Sequence, residues 1–122
     1  MKGTFSDRQT TVGVDFSRRL YEVDGVLFCV NIWDTAGQEL QKGGAALPSL
    51  FFRECSGVLC VFDLTDRASF EHVPAWLERV QEYITGPGPV FVCLVGNKSD
   101  LAERRQVSPA QIAEFAKERD MP

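Results

Sequence analysis

Cys29-Val30-Asn31-Ile32-Trp33-Asp34-Thr35-Ala36-Gly37-Gln38-Glu39 begins as a strand and ends as a loop built for a phosphate. The apolar segment up to Trp33 suits a pleated surface, and Asp34 closes it where a carboxylate can hold Mg²⁺ through water. Gly37 lets a backbone N–H approach a terminal phosphate with no Cβ in the way. Gln38 follows where a neutral amide can orient an attacking water. Asp, Thr and Gly are also ordinary residues of a strand-to-loop exit. That plainer reading accounts for a D-T-x-G fragment but leaves the rest of the run unexplained.

Further along, the apolar run Val90-Phe91-Val92-Cys93-Leu94-Val95-Gly96 ends on Asn97-Lys98-Ser99-Asp100. A polar cluster at the carboxyl end of a buried strand lies where ligands bind in open α/β sheets. The Asp100 carboxylate can accept two parallel N–H bonds from N1 and the exocyclic amine of guanine, a pair that adenine does not supply. Asn97 can bond the base edge and its own loop, and the Lys98 stem can lie along a flat ring.

Between and around these motifs the chain alternates strand and helix patterns. Val12, Val14 and Phe16 alternate with Gly13, Asp15 and Ser17, and Asp24-Gly25 is a tight-turn signal leading into Val26 to Trp33, which predicts an antiparallel hairpin. Val58 to Phe62 and Val90 to Val95 read as continuous buried strands, with a helix between them that carries Phe70, Val73, Leu77, Val80 and Ile84. Pro74 falls early enough to sit in that helix's first turn or to kink it there. Ser108-Pro109-Ala110-Gln111 supplies an N-cap, a proline at the first helical position and a capping-box glutamine, so a last helix starts there and turns Ile112, Phe115 and Ala116 inward. Gly86-Pro87-Gly88-Pro89 reads as a turn before the second buried strand.

Composition narrows the function classes. The 122 residues are 44% hydrophobic and 25% charged, the range of a globular domain with one core. A formal net charge of -4 gives no electrostatic basis for binding nucleic acid or an anionic membrane. Cys29, Cys55, Cys60 and Cys93 are well separated and lie mostly in apolar strand patterns, which favours buried, reduced thiols over disulfides or zinc. No apolar run reaches transmembrane length and no signal peptide is visible, so a cytoplasmic monomer is expected. His72 stands alone in a polar context and is expected at the surface.

Taken together, these motifs resemble those of the small GTPases of the Ras superfamily, and of their Rab branch in particular. Thr11-Val12-Gly13-Val14-Asp15-Phe16 resembles switch I and the strand that follows, and Ile32 to Glu39 resembles the strand and start of switch II. Phe51-Phe52-Arg53 is similar to the family's aromatic pair plus arginine, and Cys60-Val61-Phe62-Asp63-Leu64-Thr65 to the next strand. The resemblance implies a partial P-loop NTPase fold, an α/β domain over residues 1–122 with a mostly parallel sheet and one antiparallel hairpin. It implies GTP and GDP as ligands, with Mg²⁺ held by Thr11 and Asp34, Gly37 as the γ-phosphate sensor and Gln38 as the catalytic, water-orienting residue. Asn97, Lys98 and Asp100 become the guanine-reading set, and Phe16, Trp33 and Phe51 fall where the family presents an aromatic triad to effectors. The same three aromatics could equally be core residues. An exchange factor, an activating protein and effectors at the cytosolic face of intracellular membranes are the partners implied, in vesicle-mediated transport.

Departures from the family pattern are equally legible. The phosphate loop G-x-x-x-x-G-K-[ST] does not occur in the 122 residues, nor does the S-A-K motif of the base pocket or a terminal cysteine for prenylation. The expectation is therefore an incomplete domain, lacking the first strand and the last strand and helix, that binds GTP weakly and is prone to aggregate. Its strand pattern is expected to pair Val30 to Trp33 beside Val58 to Phe62 or to leave a gap there. A non-catalytic interaction module or a short isoform fragment is the alternative. Leu40 to Leu50, with Gly43-Gly44 and Pro48, opposes the regular switch II helix and reads either as a divergent switch or as a change without selected function.

Overall fold

The computed structural model describes residues 14–35, 55–84, 86 and 88–122. They fall in two compact units, one within Met1–Pro48 and one within Ser49–Pro122. In the first, β1 (Val14–Val23) and β2 (Val26–Thr35) pair antiparallel from Val14 opposite Thr35 to Val23 opposite Val26. The turn is Asp24-Gly25, with φ of +52° and +76°. Two left-handed residues make a turn whose twist matches that of the strands, and Asp and Gly are residues that accept such a φ. The predicted hairpin and its turn are as expected, but β2 continues past Asp34 to Thr35, so Asp34 lies within the ladder opposite Asp15.

In the second unit, β3 (Gly57–Asp63) and β4 (Phe91–Asn97) pair parallel, with Asp63 opposite Asn97 at their carboxyl ends. Among the described residues each sheet is two-stranded, β2 pairing with β1 and β3 with β4. Of the two alternatives expected, Val30 to Trp33 paired beside Val58 to Phe62 or a gap there, the described residues show no shared ladder. The parallel pair needs a crossover, which α1 (Arg67–Glu71) and α2 (Val73–Tyr83) supply. One helix was expected here, and two are found. Pro74 lacks an N–H, and its ring would press on the carbonyl four residues back, that of Phe70. The first helix accordingly stops at Glu71, and Pro74 sits in the first turn of the next. His72, at the break, is exposed as expected.

The core lies on one face of the parallel pair. Phe62, Leu64, Val73 and Val107 are buried, and Cys60, Phe70, Leu77, Leu94, Ile112 and Phe115 pack against them. Ring contacts at 5.0 Å between Phe62 and Phe70 and at 5.3 Å between Phe70 and Phe115 tie β3 to α1 and α1 to α3 (Pro109–Glu118). The expected continuous burial of β3 and β4 needs correction. Leu59, Val61 and Phe91 are 66%, 57% and 59% exposed, because successive side chains point to opposite faces and the helices of this unit cover the face of Cys60 and Phe62. The expected burial of the cysteines needs correction: Cys29 is exposed on the hairpin and Cys55, Cys60 and Cys93 are half-buried, all four as free thiols. At α3 the capping box forms as read from the sequence: the Gln111 N–H donates to Ser108 Oγ and the Ser108 N–H to Gln111 Oε1. Among the described residues no helix is long and apolar enough to cross a membrane.

Candidate functional site

Asn97 ends β4, and the chain turns at once. Lys98 takes a left-handed φ of +63°, unfavourable for a residue with a Cβ, and the Asn97 side chain holds the bend by accepting the Lys98 N–H at 2.8 Å. The Leu101 N–H then closes the loop on the Lys98 carbonyl at 3.1 Å. Asn97, Lys98 and Asp100 thus share one short loop at the carboxyl end of a parallel strand. Asn97 and Asp100 are exposed and Lys98 is half-buried.

The neighbouring strand contributes to the same place. Leu64, just past β3, donates its N–H to the Asn97 carbonyl at 3.0 Å and accepts the Gln106 N–H at 2.9 Å, so the segments after β3 and β4 and before α3 are laced together. Gly96 lies beneath this loop, where an added Cβ would stand 2.9 Å from Leu64 Cδ2 and 3.2 Å from Phe62 Cζ. Asp63, the last residue of β3, forms an ion pair through Oδ2 with the Lys98 ammonium. Its Oδ1 accepts from the Thr65 N–H at 2.8 Å and the Thr65 hydroxyl at 2.7 Å. Partial burial raises the Asp63 carboxyl, but the bonds from Lys98 and Thr65 outweigh it and hold the group at about 2, well below the usual carboxylate range. The sequence reading passed over Asp63. Its signal was present, since an acid closing an apolar strand is the pattern that singled out Asp34.

On the hairpin, Phe16 and Trp33 face each other across the ladder with ring centroids 4.5 Å apart and are 44% and 48% exposed. Arg18 lies 6.0 Å from the Phe16 centroid and donates to Asn31 Oδ1 at 3.1 Å. Asp34 and Asp15 are both exposed and directly opposed, and among the described residues neither joins an ion pair. Like charges set opposite in a ladder repel. Oxygen donors of this kind suit a hard divalent cation such as Mg²⁺. The other residues singled out in the sequence, Thr11, Gly37, Gln38 and Phe51, lie outside the described residues, as does the divergent span 40–50.

Comparison with known proteins agrees with these motifs. A model of the Ras family matches residues 1–122. Ras-related protein RabF1 of Dictyostelium discoideum is 34% identical over 98% of the chain and 60% of its own length. Human Ras-related protein Rab-15 is 37% identical over 95% of the chain and 52% of its own length, and human Ras-related protein Rab-30 is 37% identical over 98% and 57%. The chain thus spans between about half and three fifths of the length of these curated relatives.

Proposed function

Because the chain belongs to the Ras family, as a Rab-like member, we propose that the protein binds GTP and GDP with Mg²⁺ and hydrolyses GTP as a switch in vesicle-mediated transport. The observation that carries this reading is the loop Asn97-Lys98-Ser99-Asp100 at the carboxyl end of β4, where an exposed carboxylate and a half-buried lysine share one turn. In it Asp100 accepts N1–H and an exocyclic amine N–H of guanine, Lys98 lies along the ring, and Asn97 braces the turn.

For the chemical step, Gln38 orients a water whose oxygen attacks the γ-phosphorus as the bond to the β–γ bridging oxygen breaks, releasing GDP and phosphate. The Gly37 N–H donates to the γ-phosphate. Thr11 and Asp34 would hold Mg²⁺, which when bound neutralises charge on the β- and γ-phosphates. Among the described residues the exposed carboxylate of Asp34 joins no ion pair, which supports that role. The exposed pair Phe16 and Trp33 is offered to effectors; Phe51, the third aromatic that the resemblance implies, lies outside the described residues. An exchange factor and an activating protein are the expected regulators, at the cytosolic face of an intracellular membrane. The 122 residues contain no phosphate-cradling G-x-x-x-x-G-K-[ST] run, so a test on these residues alone reads the base loop.

Base preference tests the reading at millimolar nucleotide. Amide NMR titration with GDP, ADP and XDP is expected to move signals of 97–101 with GDP only. In Asp100→Asn the preference passes from GDP to XDP, because the amide presents an N–H to a ring position that has become a carbonyl. An Asp100→Asn chain that still prefers GDP would remove Asp100 from the base site.

A further inference from the structure

We propose that Asp63 is a positioning residue for the base-recognition loop, pinning the Lys98 ammonium at the end of β3 so that the lysine stem bridges the ends of the two parallel strands. The inference rests on the reading of Asn97, Lys98 and Asp100 as the guanine-binding set.

Three observations converge on it. First, Lys98 occupies a left-handed backbone conformation, and the contacts around it determine that shape from both ends: Asn97 Oδ1 holds its N–H and Asp63 its ammonium. Second, the Asp63 carboxylate is itself fixed, with both Thr65 donors on Oδ1, leaving Oδ2 to Lys98. Third, Asp63 and Asn97 are register partners, so the ion pair crosses between neighbouring strand ends rather than reaching along the surface. The side chains of Lys98 and Asp63 are 32% and 21% exposed, which shields the pair from solvent more than a surface pair. A lysine held at both its tip and its backbone has its methylenes confined between the two. Those methylenes are the part that would lie against a purine, and tethering them beforehand lowers the entropy lost on binding.

Amide hydrogen exchange on the nucleotide-free chain separates this role from general stability. In Asp63→Asn, the Leu101 amide, which bonds to the Lys98 carbonyl, is expected to exchange at least tenfold faster, while the Ile112 amide in α3 keeps its rate. Lys98→Met, which leaves Thr65 on the carboxylate, is expected to do the same. Unchanged Leu101 exchange in both variants would overturn the inference, and so would equal acceleration at Leu101 and Ile112, which marks global destabilisation. GDP titration supplies the second readout. Asp63→Asn is expected to weaken GDP at least fivefold, and Asp63→Asn with Lys98→Met to be no weaker than Lys98→Met alone; additive losses would overturn it. If GDP moves no signal of the unaltered chain, the guanine reading fails, and the exchange measurements alone decide whether Asp63 orders the loop.

Discussion

Asp63 is a carboxylate with two strand ends depending on it, and its ionisation carries a consequence for stability. Lys98 and Thr65 bond its charged form in the folded chain and hold its pKa at about 2, against an ordinary value of 3.8. A group whose folded pKa is depressed contributes stability that is full above its unfolded pKa and is lost as pH falls through the folded one. The window is therefore from about pH 4 down to about pH 2, and the contribution at stake is about 2 kcal/mol. Urea midpoints measured across that range are expected to fall more steeply for the unaltered chain than for Asp63→Asn, which has no such group to protonate. Parallel profiles would show that the ion pair with Lys98 does not persist in solution. Asp100, in the same loop, was legible in the sequence because its motif is contiguous. Asp63 shows a strand-closing acid pattern like that of Asp34, but its link to Lys98 was not legible, because its partner stands on the next strand and only parallel register brings the two together.

At the scale of elements, what could be read in advance was what is decided locally. Asp24-Gly25 fixes a hairpin through two residues that tolerate positive φ, and Ser108 with Gln111 fixes a helix start through bonds closed within one turn. The break at His72 was harder. Pro74 announced a disturbance, but whether the helix would bend or divide depends on how Phe70 and Val73 pack, and both face the core. Burial of β3 and β4 on one face only was illegible for a similar reason: a run such as Val58 to Phe62 is apolar throughout, and only the placement of helices separates its two faces. Gly96 shows how closely the covered face is packed. A Cβ there would meet Leu64 Cδ2 at 2.9 Å and Leu64 Cγ at 3.1 Å, and Leu64 is only 4% exposed, with little room to yield. Gly96→Ala is therefore expected to cost about 1–3 kcal/mol by overpacking, measured as a lowered urea midpoint with unchanged slope. Because Leu64 also bonds Asn97, the same variant is expected to shift the amide signals of 97–101. A loss under about 0.5 kcal/mol, the range of ordinary surface changes, would mean that Leu64 swings clear.

For the whole molecule, the order of the two motifs announced the family before any strand was placed, whereas the distribution of stability along the chain depends on packing. The unit within Ser49–Pro122 has a core, with Phe62, Leu64, Val73 and Val107 at 2%, 4%, 1% and 1% exposure, and a parallel ladder covered by helices on one face. The hairpin has a ladder of ten paired positions but no buried side chain from Asp15 to Thr35, and Leu20, Leu27 and Phe28 are 62%, 66% and 49% exposed. A two-stranded hairpin is at best marginally stable from its own ladder, since backbone bonds open to water contribute little net free energy. Opening of β1 and β2 should thus be a local event, and opening of β3 should require the loss of the core. Native-state hydrogen exchange is expected to show the ladder-bonded amides of Val58, Cys60 and Phe62 exchanging at least ~100-fold more slowly than those of Tyr21 and Phe28, a gap of about 2.7 kcal/mol. Denaturant should accelerate the β3 amides with the full unfolding slope and leave the hairpin amides nearly unaffected, because little surface is exposed when a hairpin frays. Equal protection in the two sheets would mean that the apolar faces of the hairpin are covered in solution, and its exposed aromatics would then be part of a packed surface rather than one free to meet an effector.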